Sequence, residues 1–313
     1  MSVESLIKPG MRGRMASVPS PLKHWKLQSN QDAMHTYKVY NPDQSMDFSM
    51  AIADGCTMSS MSGHAANETV QEVSRIVAKL VIEYNYDMYK VATLLHPRIK
   101  DYHRRRIETL EGGPLYLALL EEEKETGRPM SIDNTTREIY DWIQDNLMYT
   151  LGGGYFATNP NIDTLIYFRG DGGFALGNKD DQGGEQDFEI TKFEYNDVAP
   201  YIGYYFLPPH KYAQKLSELN KELMEEKGVT VEHPEPGFSI SIAKANKRVA
   251  LFTDGFPEYL LKDTWGMTNL PQQWDNKPNP LFAYLQDLFL QCKPQKQQGP
   301  ISDDCSVIVF TNY

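Results

Sequence analysis

The residues of this chain best suited to chemistry are aspartates at the ends of apolar runs. Asp54-Gly55 closes the stretch Asp-Phe-Ser-Met-Ala-Ile-Ala-Asp-Gly from Asp47, and Asp254-Gly255 closes Arg-Val-Ala-Leu-Phe-Thr-Asp-Gly from Arg248. A third acidic pair, Asp303-Asp304, directly precedes the apolar run Cys305 to Phe310. Carboxylates at several strand ends repel one another if those ends meet, and their convergence either raises their pKa values or demands a cation. The cation is the less costly answer. With oxygen ligands and no nearby cluster of Cys and His, the ion is expected to be hard, Mg2+ or Mn2+ ahead of Zn2+.

The elements that must position these acids follow from periodicity. Phe48, Met50 and Ile52 alternate with Ser49, Ala51 and Ala53, which predicts a strand with one strongly apolar face and one face of small residues. Asp-Gly is locally a hairpin signal. Here, however, no second strand returns: Thr57 to Gly63 reads as a hydroxyl-rich loop, and apolar residues at helical spacing begin near His64 (Ala66, Val70, Val73, Val77, Leu80, Val81, Tyr84). Upstream, His35 to Tyr40 alternates like a strand and Asn41-Pro42-Asp43 turns it back. Asp32 then stands at the entrance of a hairpin and Asp54 at its exit.

Elsewhere the pattern predicts helices around Tyr89 to Leu95, Leu115 to Glu125 and Thr136 to Leu147, then a break at Leu151-Gly152-Gly153-Gly154. Strands are expected at Tyr155 to Ala157 and Thr164 to Arg169. The second is followed by a tight Gly170-Asp171-Gly172-Gly173 turn into Phe174 to Gly177, a hairpin by sequence. Asn178 to Glu189 approaches a calcium-loop pattern. A strand enters it and amides fill its first and fifth places, which argues against an EF-hand. A helix is expected over Lys211 to Glu226, a hairpin pairing Phe238 to Ala243 with Val249 to Thr253, a cover helix over Pro280 to Cys292, and a last strand from Cys305 to Asn312. Residues 1 to 22, with Pro9, Gly10, Gly13, Pro19 and Pro21, read as an irregular lead-in.

Composition narrows the partners. The chain has 313 residues and three scattered cysteines without zinc or disulfide spacing, so a cytoplasmic location is expected. No apolar run approaches the ~20 residues of a membrane span. The net charge of −11 opposes nonspecific binding to nucleic acid or anionic lipid. Arg104-Arg105-Arg106 lies among acids and reads as a solvated helix face rather than a phosphate patch. Oligomeric state is not legible.

Taken in order, Asn30-Gln31-Asp32, Ala53-Asp54-Gly55, Gly170-Asp171-Gly172, Thr253-Asp254-Gly255 and Ser302-Asp303-Asp304-Cys305-Ser306-Val307 resemble the type 2C metal-dependent (PPM) protein phosphatases. The resemblance implies an α+β fold, a four-layer αββα sandwich of two antiparallel sheets between helices. It would occupy 23 to 313, with a helical insertion near 86 to 150 and a flap-like segment near 178 to 236. It also implies two or three Mn2+ or Mg2+ ions. Asp54 and the Gly55 carbonyl would hold them with Asp254 and Asp303; Asp32 would hold a metal-coordinated water, and Asp171 would contribute to a third ion. Asp304, where Asn is common, would stand behind the ligands.

Two ions would lower the pKa of a shared water for attack on phosphorus. The substrate would be a phosphoserine or phosphothreonine protein. Cys56 stands where eukaryotic relatives carry a proposed proton-donating His, which leaves His64 as a candidate acid, and Leu27 stands at the basic phosphate-binding position, for which Lys26 or His24 could substitute. Two further readings share the resemblance, a catalytically weak scaffold or regulator and a hydrolase of small phosphoesters.

Overall fold

The computed structural model describes residues 11–18, 31–42, 45–56, 61–177, 188–193, 199–227, 237–244, 248–256, 285–286 and 304–312. Its architecture is organised by β3 (Met46–Ala53), whose alternation sorts two cores. Phe48, Met50 and Ile52 point between two sheets, where they meet Phe156, Ile166 and Phe168 of their own sheet and Phe174, Val249, Leu251, Ile308 and Phe310 of the other. Ala51 and Ala53 point the opposite way, into a second core shared with helices. Small residues on that face let helix α1 (Ser62–Glu83) lie close to the sheet, and its stripe of Ala66, Val70, Val73, Val77 and Val81 is fully buried.

Both sheets are antiparallel. The first runs β2 (Ala33–Tyr40), β3, β4 (Leu151–Phe156), β5 (Thr164–Arg169), β8 (Ser239–Ala243). The second runs β1 (Met11–Val18), β10 (Cys305–Asn312), β9 (Arg248–Phe252), β6 (Gly172–Gly177), β7 (Phe188–Phe193). Helices α1, α2 (Met88–Glu108), α3 (Gly113–Thr126) and α4 (Asn134–Asn146) contribute to the core on the outer face of the first sheet, and α5 (Pro209–Lys227) follows β7. The layers described are therefore helix, sheet, sheet. The cover helix expected over Pro280 to Cys292 falls outside the described residues, except for helical Leu285 and Gln286, of which Leu285 is fully buried.

Several local expectations are corrected. The expected lead-in contains β1, paired along its length with β10 from Met11↔Asn312 to Val18↔Cys305. Helix α2 runs well past Leu95, with Pro97 inside it, because Val91, Leu95, Ile99, His103 and Ile107 form one continuous buried stripe. The Gly152 to Gly154 run is strand rather than breaker: aromatic rings of β5 occupy the space side chains would need at Gly152 and Gly153, where a Cβ on Gly153 would lie 2.2 Å from the Tyr167 hydroxyl, and the Leu165 carbonyl and Phe156 ring crowd Gly154.

Neither of the two later hairpins forms. β5 pairs with β4 and β8 while β6 pairs with β7 and β9, so the Gly170 to Gly172 turn carries the chain from one sheet to the other. Gly170 and Gly172 have φ of +108° and +128°, conformations that favour glycine. The 244 to 247 connection likewise joins β8 of the first sheet to β9 of the second. A tight turn between two apolar runs looks the same in sequence whether the runs pair or face each other across a core.

Candidate active site

The sheet crossovers bring distant acids to one edge of the sandwich. Ala33 pairs with Ala53, so Asp32 and Asp54 leave neighbouring strand ends side by side. At the corresponding edge of the second sheet Val307 pairs with Phe252, which places Thr253 and Asp254 beside Asp304 and Ser306. The two edges are tied directly. The Thr253 hydroxyl donates to Asp32 Oδ2 at 2.9 Å while accepting from the Ser306 amide at 3.0 Å, and the Gln31 amide donates to Asp304 Oδ2 at 2.9 Å.

Asp32 and Asp54 are also hydrogen-bonded to each other through their side chains. Ionised carboxylates only accept, so two held this close call either for a shared proton or for a cation between them. Burial pushes the Asp32 carboxyl up to about 7; the bond with Asp54 opposes the shift, the negative charge of Asp304 reinforces it, and bonds with Thr253 and Ser306 again oppose it. The neighbouring Cys305 thiol is raised well above its ordinary range, first by burial and then by the charges of Asp32, Asp304 and Asp254. Negative charge is therefore gathered at an edge where Asp304 is buried, Asp32 and Asp54 are partly buried and Asp254 is exposed.

Backbone lacing fixes the Asp54-Gly55 end. The Thr150 amide donates to the Asp54 carbonyl at 2.9 Å, the Thr150 hydroxyl accepts from the Asp54 amide at 3.2 Å, and the Cys56 amide donates to the Met148 carbonyl at 2.9 Å. Gly55 bridges Tyr149, whose hydroxyl meets Thr69 at 2.8 Å and the buried His103 ring at 3.3 Å. Burial drives His103 down to about 3, so this ring serves as a neutral hydrogen-bonding partner. A Cβ on Gly55 would lie 2.8 Å from Ser62 Oγ and 3.0 Å from the Gln31 carbonyl, which is a packing reason for glycine here. Ser62 Oγ and Gln31 Nε2 each donate to the Cys56 carbonyl at 3.0 Å.

The other expected site residues are distributed as follows. Asp171 sits in the crossover turn, where a Cβ on Gly170 would touch Thr150 and one on Gly172 would touch the Phe252 carbonyl, so the turn spans both sheets at the same edge. Asp254 is exposed there. His64 lies on the exposed side of α1 and pairs with Glu68 at 3.4 Å. Asp303, Lys26 and His24 fall outside the described residues. The arginine run is a helix face paired with acids, Arg104 with Glu108, Arg105 with Asp101 and Arg106 with Glu68.

Gln31, Thr253, Thr150 and Tyr201 escaped the sequence reading, although Gln31 and Thr253 adjoin the acids within its tripeptides. Asp304, expected behind the ligands, is buried and lies in the field of Asp32.

Among the described residues no group of three or more His, Cys, Asp and Glu side chains is arranged to hold a metal ion. The donor chemistry nonetheless fits a hard cation, because the converging groups are carboxylates and carbonyls and their mutual repulsion is what such an ion would relieve. No helix among the described residues is long and apolar enough to cross a membrane.

The class this geometry defines is a two-sheet antiparallel sandwich with an acidic edge. No protein-family model matches the sequence, and no curated protein matches it either. Solved structures similar to it include a point variant of a bacterial serine phosphatase, with 11% identity, a TM-score of 0.46, and 97% of this chain and 99% of that one covered. The serine/threonine phosphatase Stp1 from Staphylococcus aureus aligns with 12% identity and a TM-score of 0.43, covering 97% of each chain. The PPM Ser-Thr phosphatase MsPP from Mycobacterium smegmatis, in complex with cacodylate, aligns with 12% identity and a TM-score of 0.42, over 97% of this chain and 99% of that one. At such scores the fold stands on its own strand order and packing.

Proposed function

We propose that this chain is a metal-dependent phosphatase of the type 2C, PPM, family that hydrolyses phosphoserine and phosphothreonine in proteins. The observation that carries the reading is the convergence of Asp32, Asp54 and Asp304 at one sandwich edge, with the Asp32 carboxyl held up to about 7. Asp54, the Gly55 carbonyl, Asp254 and Asp303 would hold two Mn2+ or Mg2+ ions, with Asp32 and Asp171 available to further coordination. Bound divalent cations would neutralise phosphoryl charge and acidify a water at neutral pH.

The chain's own groups do the rest by position. Thr253 fixes one oxygen of Asp32, the Gln31 amide fixes one of Asp304, and Ser62 with the Gln31 side chain orients the carbonyl that follows Gly55. With such a site a protein nucleophile is not needed, and Cys56 is a packed, hydrogen-bonded neighbour rather than an attacking group. Cys56 and Cys305 are free thiols, which fits a reducing cytoplasm.

A second reading, a catalytically weak scaffold on the same fold, is favoured by one observation. His64, the candidate acid, is about two-thirds exposed and engaged with Glu68 rather than with the acidic edge. Calorimetry of Mn2+ binding on wild type and Asp54→Asn, beside aryl phosphate hydrolysis, tests the first reading. Metal uptake and turnover should both vanish in the variant, and turnover without metal would reject the mechanism. Robust turnover of a phosphopeptide would dispose of the scaffold.

A further inference from the structure

The acidic edge has a neighbour of opposite charge on a helix well separated in sequence. The segment Ala199 to Gly203 docks onto the segment that laces the Asp54-Gly55 end: the Ile202 amide donates to the Tyr149 carbonyl at 3.1 Å and the Gly203 amide to the Leu147 carbonyl at 2.7 Å. A Cβ on Gly203 would lie 2.8 Å from Met148 Sδ, so the docking is close. It delivers Tyr201, whose hydroxyl is hydrogen-bonded to Cys56 and feels the charge of Asp54. From Tyr201 an aromatic row continues, with ring centroids 5.6 Å apart to Tyr204 and 4.7 Å apart from there to Tyr212 on α5.

One helical turn beyond Tyr212 stands Lys215. It is half-buried, its ammonium donates to Gln144 Oε1 on α4 at 2.6 Å, and Cys56 is close enough to act on its charge. Burial lowers its pKa, which Cys56 and Glu218 oppose, so the charge is carried where solvent screens it weakly. An edge bearing Asp32, Asp54, Asp254 and Asp304 repels a phosphate dianion, and divalent ions offset only part of that repulsion. An ammonium held by Gln144 and within electrostatic reach of Cys56, the residue directly after Asp54-Gly55, supplies attraction from the protein itself.

We infer that Lys215 is a substrate-binding residue of this site, its ammonium engaging the phosphoryl oxygens of a phosphoester or of inorganic phosphate. The inference rests on the proposed metal-dependent phosphatase reading. It gives α5 a part in substrate binding that the sequence did not signal, since Lys215 belongs to a helix with many exposed charges.

The experiment is calorimetric titration of inorganic phosphate into Mn2+-saturated wild type, Lys215→Gln and Lys215→Arg, with Mn2+ uptake measured first on each. Phosphate affinity should fall by on the order of tenfold in Lys215→Gln, the scale of one lost charged hydrogen bond. It should stay within about threefold of wild type in Lys215→Arg, which keeps the charge and donors. All three should take up Mn2+ alike. Unchanged phosphate affinity in Lys215→Gln with normal Mn2+ uptake overturns the inference and leaves the metal reading standing. Absence of Mn2+ uptake in wild type overturns the metal reading and the inference with it.

Discussion

Asp47 is the second residue of β3 and Asp54 directly follows its last, so the two ends of one strand hold aspartates in contrasting company. Asp47 is fully buried and surrounded by donors: the Tyr155 hydroxyl at 3.0 Å, the Thr158 amide at 2.7 Å and the Thr158 hydroxyl at 2.7 Å. Asp54 meets Asp32, which in turn lies in the field of Asp304. Burial with donors makes a carboxylate part of the scaffold, because hydrogen bonds from the protein replace those lost from water. Burial among carboxylates leaves a standing demand for positive charge, which a structural role alone does not explain.

The sharpest way to break this contrast is to neutralise each acid in turn. Asp54→Asn should lower Mn2+-dependent aryl phosphate hydrolysis by on the order of 100-fold or more while the fold persists, since on the proposed reading a ligand is lost but little packing is. Asp47→Asn should do the reverse. Its unfolding free energy in urea should drop by about 2–3 kcal/mol, because the amide cannot accept from all three donors. Activity per folded molecule should hold. Loss of activity in a stable Asp47→Asn would erase the distinction between the two ends.

A second comparison needs no turnover. In chelator-treated protein the acidic edge carries a repulsion that metal would relieve, so Asp32→Asn should raise unfolding free energy by about 1 kcal/mol. Asp47→Asn should lower it under the same conditions. Urea midpoints in EDTA decide the matter, and destabilisation by Asp32→Asn would show that the edge is held together by its shared proton rather than strained by its charge.

How far the sequence anticipated this arrangement depended on whether the signal was local. The alternation in β3 announced both of its faces, and the hairpin that brings Asp32 beside Asp54 followed from the Asn41-Pro42-Asp43 turn. The helix after Gly55 was equally plain from its stripe, though it begins at Ser62 rather than near His64. What stayed hidden was set by partners far away in the chain. Glycines 152 and 153 read as part of a breaker because the Phe168 and Tyr167 rings that require them lie on another strand. The Gly170 to Gly172 turn read as a hairpin because nothing local tells a pairing turn from a crossover between sheets. Asp304 gave no sign that the Gln31 amide would seek it from the opposite end of the chain.

The finest test compares pH dependence, where Glu123 and Asp32 should act with opposite sign. Glu123 on α3 accepts from the Met130 amide at 2.9 Å, the His210 amide at 2.9 Å and His210 Nδ1 at 2.9 Å. Burial alone would raise its pKa, but these bonds bring it below the ordinary 4.5. Its stabilising contribution is therefore present above about 4.5 and lost as pH falls through the lower folded value. Asp32 behaves oppositely, because its folded value of about 7 lies above the ordinary 3.8: in metal-free protein its contribution is complete below 3.8 and lost as pH rises through about 7. Urea midpoints in EDTA across this range should thus fall at both ends. Glu123→Gln should flatten the acid side and Asp32→Asn the neutral side. A neutral-side slope that survives Asp32→Asn would mean that the strain at the acidic edge belongs to other groups, and that the electrostatic argument for a cation there had been placed on the wrong carboxylate.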